Sequence, residues 1–164
     1  MDFETAKRLA ERDPASGLEV VRVERTVSLP WLFLGNVKAG VELILNKGLH
    51  HYSSKLEGVS VAHSSPLLVQ RKADIMVDFS GFLVQIVVDQ VVFKPTTGQT
   101  IKGIVDSFQQ DSIFCLIHGI FNANITRGRR GNFSHLKIGD ELQFEVTRVE
   151  LHGRLLSVRG KAVS

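Results

Sequence analysis

The stretch Val92-Phe93-Lys94-Pro95-Thr96-Thr97-Gly98-Gln99-Thr100-Ile101-Lys102-Gly103-Ile104-Val105 decides the fold, because it reads as one sheet ending and another beginning. Pro95 has no N–H to give to a ladder, so a strand that runs into it stops there. Gly98 supplies a turn, and alternation resumes from Thr100 as the first strand of a new sheet. Working outward, the two flanks have different characters. The chain before the joint mixes helical and strand patterns; the chain after it is strand throughout.

After the joint, the pattern predicts strands over Thr100–Gln109, Ser112–His118, Asn122–Thr126, Glu141–Glu150 and Arg154–Ala162, each bounded by turn signals. Leu151-His152-Gly153-Arg154 makes the last hairpin, and residues 127–140 form the long connection after the third strand. Five short strands in about 70 residues fit the partly open Greek-key barrel of the OB fold, which binds oligonucleotides on one face and through its loops.

Before the joint, the reading is α+β. Residues 2–12 predict a short helix ended by Asp13-Pro14, and Gly17 to Val27 alternates as a strand. Leu29-Pro30-Trp31-Leu32-Phe33-Leu34 is an apolar loop closed by Gly35-Asn36. Val37, Val41, Ile44, Leu45, Leu49, Tyr52 and Leu56 recur at helical spacing behind Asn36 as N-cap, which predicts one long helix. It packs on a sheet made of residues 18–27, 58–69, 73–79 and 82–93, with Asp78–Phe82 as a hairpin turn. The expected division is thus 1–93 and 94–164.

Composition narrows the function classes. The chain has 164 residues, 43% apolar and 23% charged, in the range of a globular protein. No stretch approaches the ~20 apolar residues of a membrane span. The first eight residues hold no apolar core of a secretory leader. The single cysteine, Cys115, excludes an internal disulfide and fits a reducing compartment. Residues 1–93 carry ten Lys/Arg against eleven Asp/Glu, a net of −1. Residues 94–164 carry ten against six, a net of +4, so the second half is the one suited to a polyanion.

Nothing in the motifs points to catalysis, a metal or a cofactor. Cys115 and His118 are three apart, a spacing that puts them on opposite faces of a strand. Cys115 sits among Ile113, Phe114, Leu116 and Ile117 and reads as a buried, inert thiol. The histidines do not fall at ligand spacings, and neither a Walker loop nor a dinucleotide fingerprint occurs. The strongest nucleic-acid feature is Arg127-Gly128-Arg129-Arg130-Gly131 in the long barrel connection, where planar guanidinium forks suit phosphate. Lys137, Arg148, Arg154 and Arg159 would extend it if the fold brings them together, and Phe108 and Phe121 are the candidate base-stacking aromatics. The competing reading of that loop is a merely solvated, charged surface. Among apolar features, Pro30-Trp31-Leu32-Phe33-Leu34 is the candidate partner-binding segment, with Trp31 its centre. Its competing reading is a loop folded back on its own sheet.

Three blocks give the chain a family resemblance. The first runs from Leu32-Phe33-Leu34 through Gly40-Val41-Glu42 to His51-Tyr52-Ser53-Ser54-Lys55-Leu56-Glu57-Gly58-Val59. The second is the joint quoted above. The third is Cys115-Leu116-Ile117-His118-Gly119 with Phe121-Asn122-Ala123, then Gly139-Asp140-Glu141-Leu142 and Val158-Arg159-Gly160. Together they resemble the larger stalk subunits of RNA polymerases, and the C-L-I-H-G-x-F-N-A block resembles most closely the RNA polymerase I version. The polymerase III and archaeal stalk subunits are the nearest alternatives, and a free OB-fold RNA-binding protein of translation or RNA decay is the alternative from another class. The resemblance implies a non-catalytic subunit in the nucleus and nucleolus. Its tip would dock on polymerase I core subunits, alone or with a smaller stalk partner. Its barrel would meet a TIF-IA-type initiation factor and nascent single-stranded RNA, without cofactor or membrane.

Overall fold

The computed structural model describes residues 1–69, 74–75, 80–126 and 135–162. Helix α1 (Phe3–Arg12) starts where Asp2 accepts the Thr5 N–H at 2.7 Å and stops before Pro14. It buries Ala6 and leans Phe3 and Leu9 onto the sheet. Strand β1 (Leu18–Pro30) pairs antiparallel along its whole length with β6 (Gly81–Phe93), from Leu18 opposite Phe93 to Pro30 opposite Gly81. The other edge of β6 is shared by β3 (Gly58–His63), β4 (Leu67–Leu68) and β5 (Asp74–Ile75), and β2 (Tyr52–Ser53) flanks β3. Helix α2 (Val37–Lys47) covers one face of this sheet and closes a core of Val27, Leu29, Val41, Leu45, Phe82, Val84, Ile86 and Val88.

Helix α2 is shorter than the spacing of its apolar residues predicts. It ends at Gly48, and His50 turns into the left-handed region (φ 67°) while its N–H donates to Ser60 O at 2.9 Å. Tyr52 and Ser53 are therefore strand, and Tyr52 and Leu56 extend no helix. The glycine inside α2 has a packing reason. A Cβ on Gly40 would lie 2.8 Å from Phe33 Cγ and 3.1 Å from Leu29 Cδ2, so the helix comes this close only with hydrogen there. The residue gives up about 1 kcal/mol of helix propensity for that approach.

The second half is a closed barrel of β7 (Thr100–Phe108), β8 (Ser112–Ile117), β9 (Phe121–Thr126), β10 (Glu141–His152) and β11 (Leu155–Ala162). All five expected strands are present within a few residues, but the ring is closed rather than partly open. β10 pairs with both β7 and β11, and β11 runs parallel to β9. Alternate residues fill the inside, among them Ile101, Val105, Ile113, Cys115, Ile117, Ala123, Ile125, Phe144, Val146 and Val158. Gly98 makes the turn into the barrel at φ 91° and donates its N–H to Val146 O at 2.8 Å.

The joint is packed solid. Phe93, the last residue of β6, is fully buried and stacks on Phe121 of the barrel, ring centroids 4.4 Å apart. One continuous core runs from Ala6, Leu18, Val59 and Val91 through Phe93 into Ile101, Ile113 and Phe144. Polar ties reinforce it: His118 Nε2 donates to Ser16 O at 2.7 Å, Tyr52 N–H donates to Arg154 O at 2.8 Å, and Lys102 reaches Asp13 at 3.4 Å.

Candidate functional site

The apolar segment after β1 is a single 3-10 turn, Trp31–Phe33, and it divides its residues between inside and outside. Phe33 turns inward onto Gly40 and the core beneath α2, so its expected place on a docking face is not where it lies. Pro30 stays exposed, Trp31 is 44% exposed, Leu32 85% and Leu34 59%. One edge of Trp31 rests on Phe82, ring centroids 5.7 Å apart and tilted by 35°, so the indole is held rather than free to swing. This turn lies opposite Gly81 and Phe82, at the end of β6 farthest from the barrel. The sequence did not single out β4 and the residue after it, yet Leu67, Leu68 and Val69 are also exposed along the edge of β6. Their signal was a run of three apolar residues after Pro66 in a strand too short to bury them.

On the barrel, Phe108 and Phe121 part company. Phe121 is 3% exposed and stacked on Phe93, so no base reaches its face; the expectation of a stacking role there is corrected by the packed joint. Phe108 stands at the end of β7, 36% exposed, opposite Ile113. Lys137 is exposed, with its N–H donated to Asp140 Oδ2 at 2.9 Å in the turn before β10. Arg127, Arg129 and Arg130 lie outside the described residues.

The sulfur and imidazole are structural. Cys115 points into the barrel, and burial, with Asp106 adding to it, pushes its thiol up to about 11, far from the thiolate a nucleophile needs. His118 is not on a strand but in the left-handed turn after β8 (φ 55°). Burial lowers its pKa, and against that pull stand its bond to the Ser16 carbonyl and the nearby Asp13. A carbonyl only accepts, so Nε2 carries the proton. Among the described residues no group of three or more His, Cys, Asp or Glu is placed to hold a metal, and no helix is long and apolar enough to cross a membrane.

A family profile, the F10E9.4 N-terminal domain, matches residues 1–94, more than half of the chain. The chain belongs to the F10E9.4 N-terminal domain family. Curated relatives of this family member bear one name. DNA-directed RNA polymerase I subunit RPA43 of Mus musculus is 32% identical over 143 residues, covering 84% of this chain and 43% of the relative. The same subunit of Homo sapiens is 32% identical over 144 residues, with the same coverage. The Schizosaccharomyces pombe subunit is 30% identical over 73 residues, 44% of this chain and 42% of its own length. The chain thus spans less than half the length of the curated relatives it matches. Their names bear out the resemblance to a polymerase I subunit that the C-L-I-H-G-x-F-N-A block carried, in preference to the polymerase III and archaeal alternatives.

Proposed function

We propose that this chain is a non-catalytic subunit of nuclear and nucleolar RNA polymerase I. In this reading residues 1–93 form a tip that docks on the core enzyme, and residues 94–164 form a barrel that meets a TIF-IA-type initiation factor and emerging RNA. The names of the relatives support the polymerase. The observation that carries the docking is the 3-10 turn with Trp31, Leu32 and Leu34 held outward at the end remote from the barrel. An indole fixed against Phe82 loses little freedom on binding and buries a large apolar area, the usual chemistry of an interface centre. Pro30 continues that face, and the exposed edge at Leu67–Val69 extends the apolar surface on the same sheet.

RNA contact on the barrel is proposed for Arg127, Arg129, Arg130 and Lys137, with Phe108 as the stacking ring. Such contact is backbone-directed, weakly sequence-selective and weakened by salt. The test is purification of the tagged chain from nuclear extract at moderate salt, with mass spectrometry of what accompanies it. The expected result is the large polymerase I subunits, retained about tenfold less by Trp31→Ala. Recovery of polymerase III subunits, or of RNA with ribosomal or decay proteins alone, overturns the reading.

A further inference from the structure

A cleft of about 500 Å³ opens where the barrel's last hairpin meets the first sheet, within the range of small-molecule sites. The cations and the aromatic ring in its walls come from four separate parts of the chain. β1 contributes Arg25, the C-terminal turn of α2 contributes Lys47, the segment around β2 contributes Tyr52 and Lys55, and the β10–β11 hairpin contributes Arg154. The hairpin is fixed in place by the Tyr52 N–H to Arg154 O bond of 2.8 Å.

Two independent observations mark this cleft as built for a ligand. The first is charge. Four Lys/Arg side chains line it and no carboxylate does. Elsewhere on the surface Arg22, Lys94, Lys102, Arg148, Arg159 and Lys161 have an acidic partner, and Lys7, Arg8, Arg12, Lys38 and Lys137 form no ion pair among the described residues but lie outside this cleft. Among the described residues no ion pair engages Arg25, Lys47, Lys55 or Arg154. Like charges gathered without counter-charges repel, and an anion relieves that repulsion. The second is an orphan acceptor. Gln90 lines the same cleft, is only 6% exposed, and its Oε1 is buried without a hydrogen-bond donor among the described residues. A buried carbonyl left unpaired is a desolvation cost, and a ligand that donates to it removes that cost.

An anion alone satisfies the cations but not Gln90, because phosphate oxygens accept. The ligand must carry both a polyanionic group and an O–H or N–H donor. Tyr52, also in the lining, adds a ring edge or face for an aromatic group. We propose that this cleft binds a free ribonucleotide, its phosphates held by Arg25, Lys47, Lys55 and Arg154, and that the Gln90 side chain, whose Oε1 is buried from solvent in the empty cleft, turns outward to accept from a ribose hydroxyl. The site is independent of the docking turn, which lies at the other end of β6.

Calorimetric titration of the whole chain with GTP, AMP, tripolyphosphate and a ten-nucleotide RNA tests it. GTP binds, AMP binds more weakly for want of charge, and Arg154→Ala and Lys47→Ala each lower GTP affinity about tenfold, the scale of one charge-assisted hydrogen bond. Gln90→Met, close in volume, narrows the preference for GTP over tripolyphosphate while leaving tripolyphosphate affinity unchanged. Far-UV circular dichroism confirms that each variant folds, and Lys55→Gln serves where Arg154→Ala does not. No heat at millimolar GTP, GTP binding indifferent to Arg154→Ala and Lys55→Gln, or RNA binding with the mononucleotides silent each overturns the proposal.

Discussion

The first sheet and the barrel face the same physical problem, a row of unpaired backbone groups at every sheet edge, and handle it in opposite ways. The barrel abolishes its edges, because β10 pairs on both sides and β11 closes in parallel on β9. The sheet keeps edges and covers β6 with three short strands in succession, leaving Leu67, Leu68 and Val69 in solvent. Closed, the barrel is free to vary its loops and outer face. Open, the sheet has apolar material to offer a partner, at Trp31 above all. The difference teaches that a sheet left open keeps apolar surface at its end, whereas a closed barrel buries its own.

Breaking the shared core tests whether the two parts are energetically one. Phe93→Ala removes a fully buried ring stacked on Phe121 and is expected to destabilise by about 3–5 kcal/mol. Fluorescence of the single tryptophan, at the far end of the sheet, and far-UV dichroism should still report one coincident melting transition; two separate transitions would sink the idea of a continuous core. Gly40→Ala sharpens the contrast locally. Better helix propensity is outweighed by the 2.8 Å contact with Phe33, and chemical denaturation should show a net loss of about 1 kcal/mol. A gain in stability would mean that Phe33 moves freely.

Trp31→Ala separates docking from folding: with the indole 44% exposed, the loss of stability should stay under about 1 kcal/mol while partner retention falls. Acidification probes the joint through His118. Burial lowers its folded pKa below 6.5, so the folded state resists a proton that the unfolded chain accepts. Stability is therefore expected to fall as pH drops below about 6.5 toward the folded value, and His118→Asn, which tolerates the left-handed backbone, should flatten that dependence in denaturation curves at pH 5 to 7. The smallest effect is on Cys115: with its thiol near 11 and inside the barrel, a disulfide reagent at about pH 8 should modify it only after denaturant is added. Rapid modification of the native protein would contradict the burial.

Much of this was legible in the residues. Short strand-like runs bounded by turn signals name every barrel strand, and Pro95 with Gly98 marks the handover, because turn chemistry and strand patterning are local properties. The helix was overread for the complementary reason. Leu49, Tyr52 and Leu56 keep a helical period after the helix has ended, since apolar residues can bury themselves from a turn and a strand as well. Phe121 looked like a stacking ring because nothing nearby in sequence announces Phe93 as its neighbour. The cleft was hidden for the same reason. Its cations come from positions 25, 47, 55 and 154, three of them in the half whose net charge is −1. Net charge averages over a surface that folding sorts into patches.

The parallel pairing of β11 with β9 sets an order of events during synthesis. Both long strands of the first sheet have been made once residue 93 leaves the ribosome, whereas the barrel cannot close until Leu155–Ala162 arrives to lie beside Phe121–Thr126. Until Phe121 emerges Phe93 has no ring to cover it, and until Leu155–Ala162 arrives no closed barrel holds Phe121 in place. The growing chain then carries a finished sheet with a bare aromatic end, and it is exposed to misassociation until the barrel strands that follow have been made.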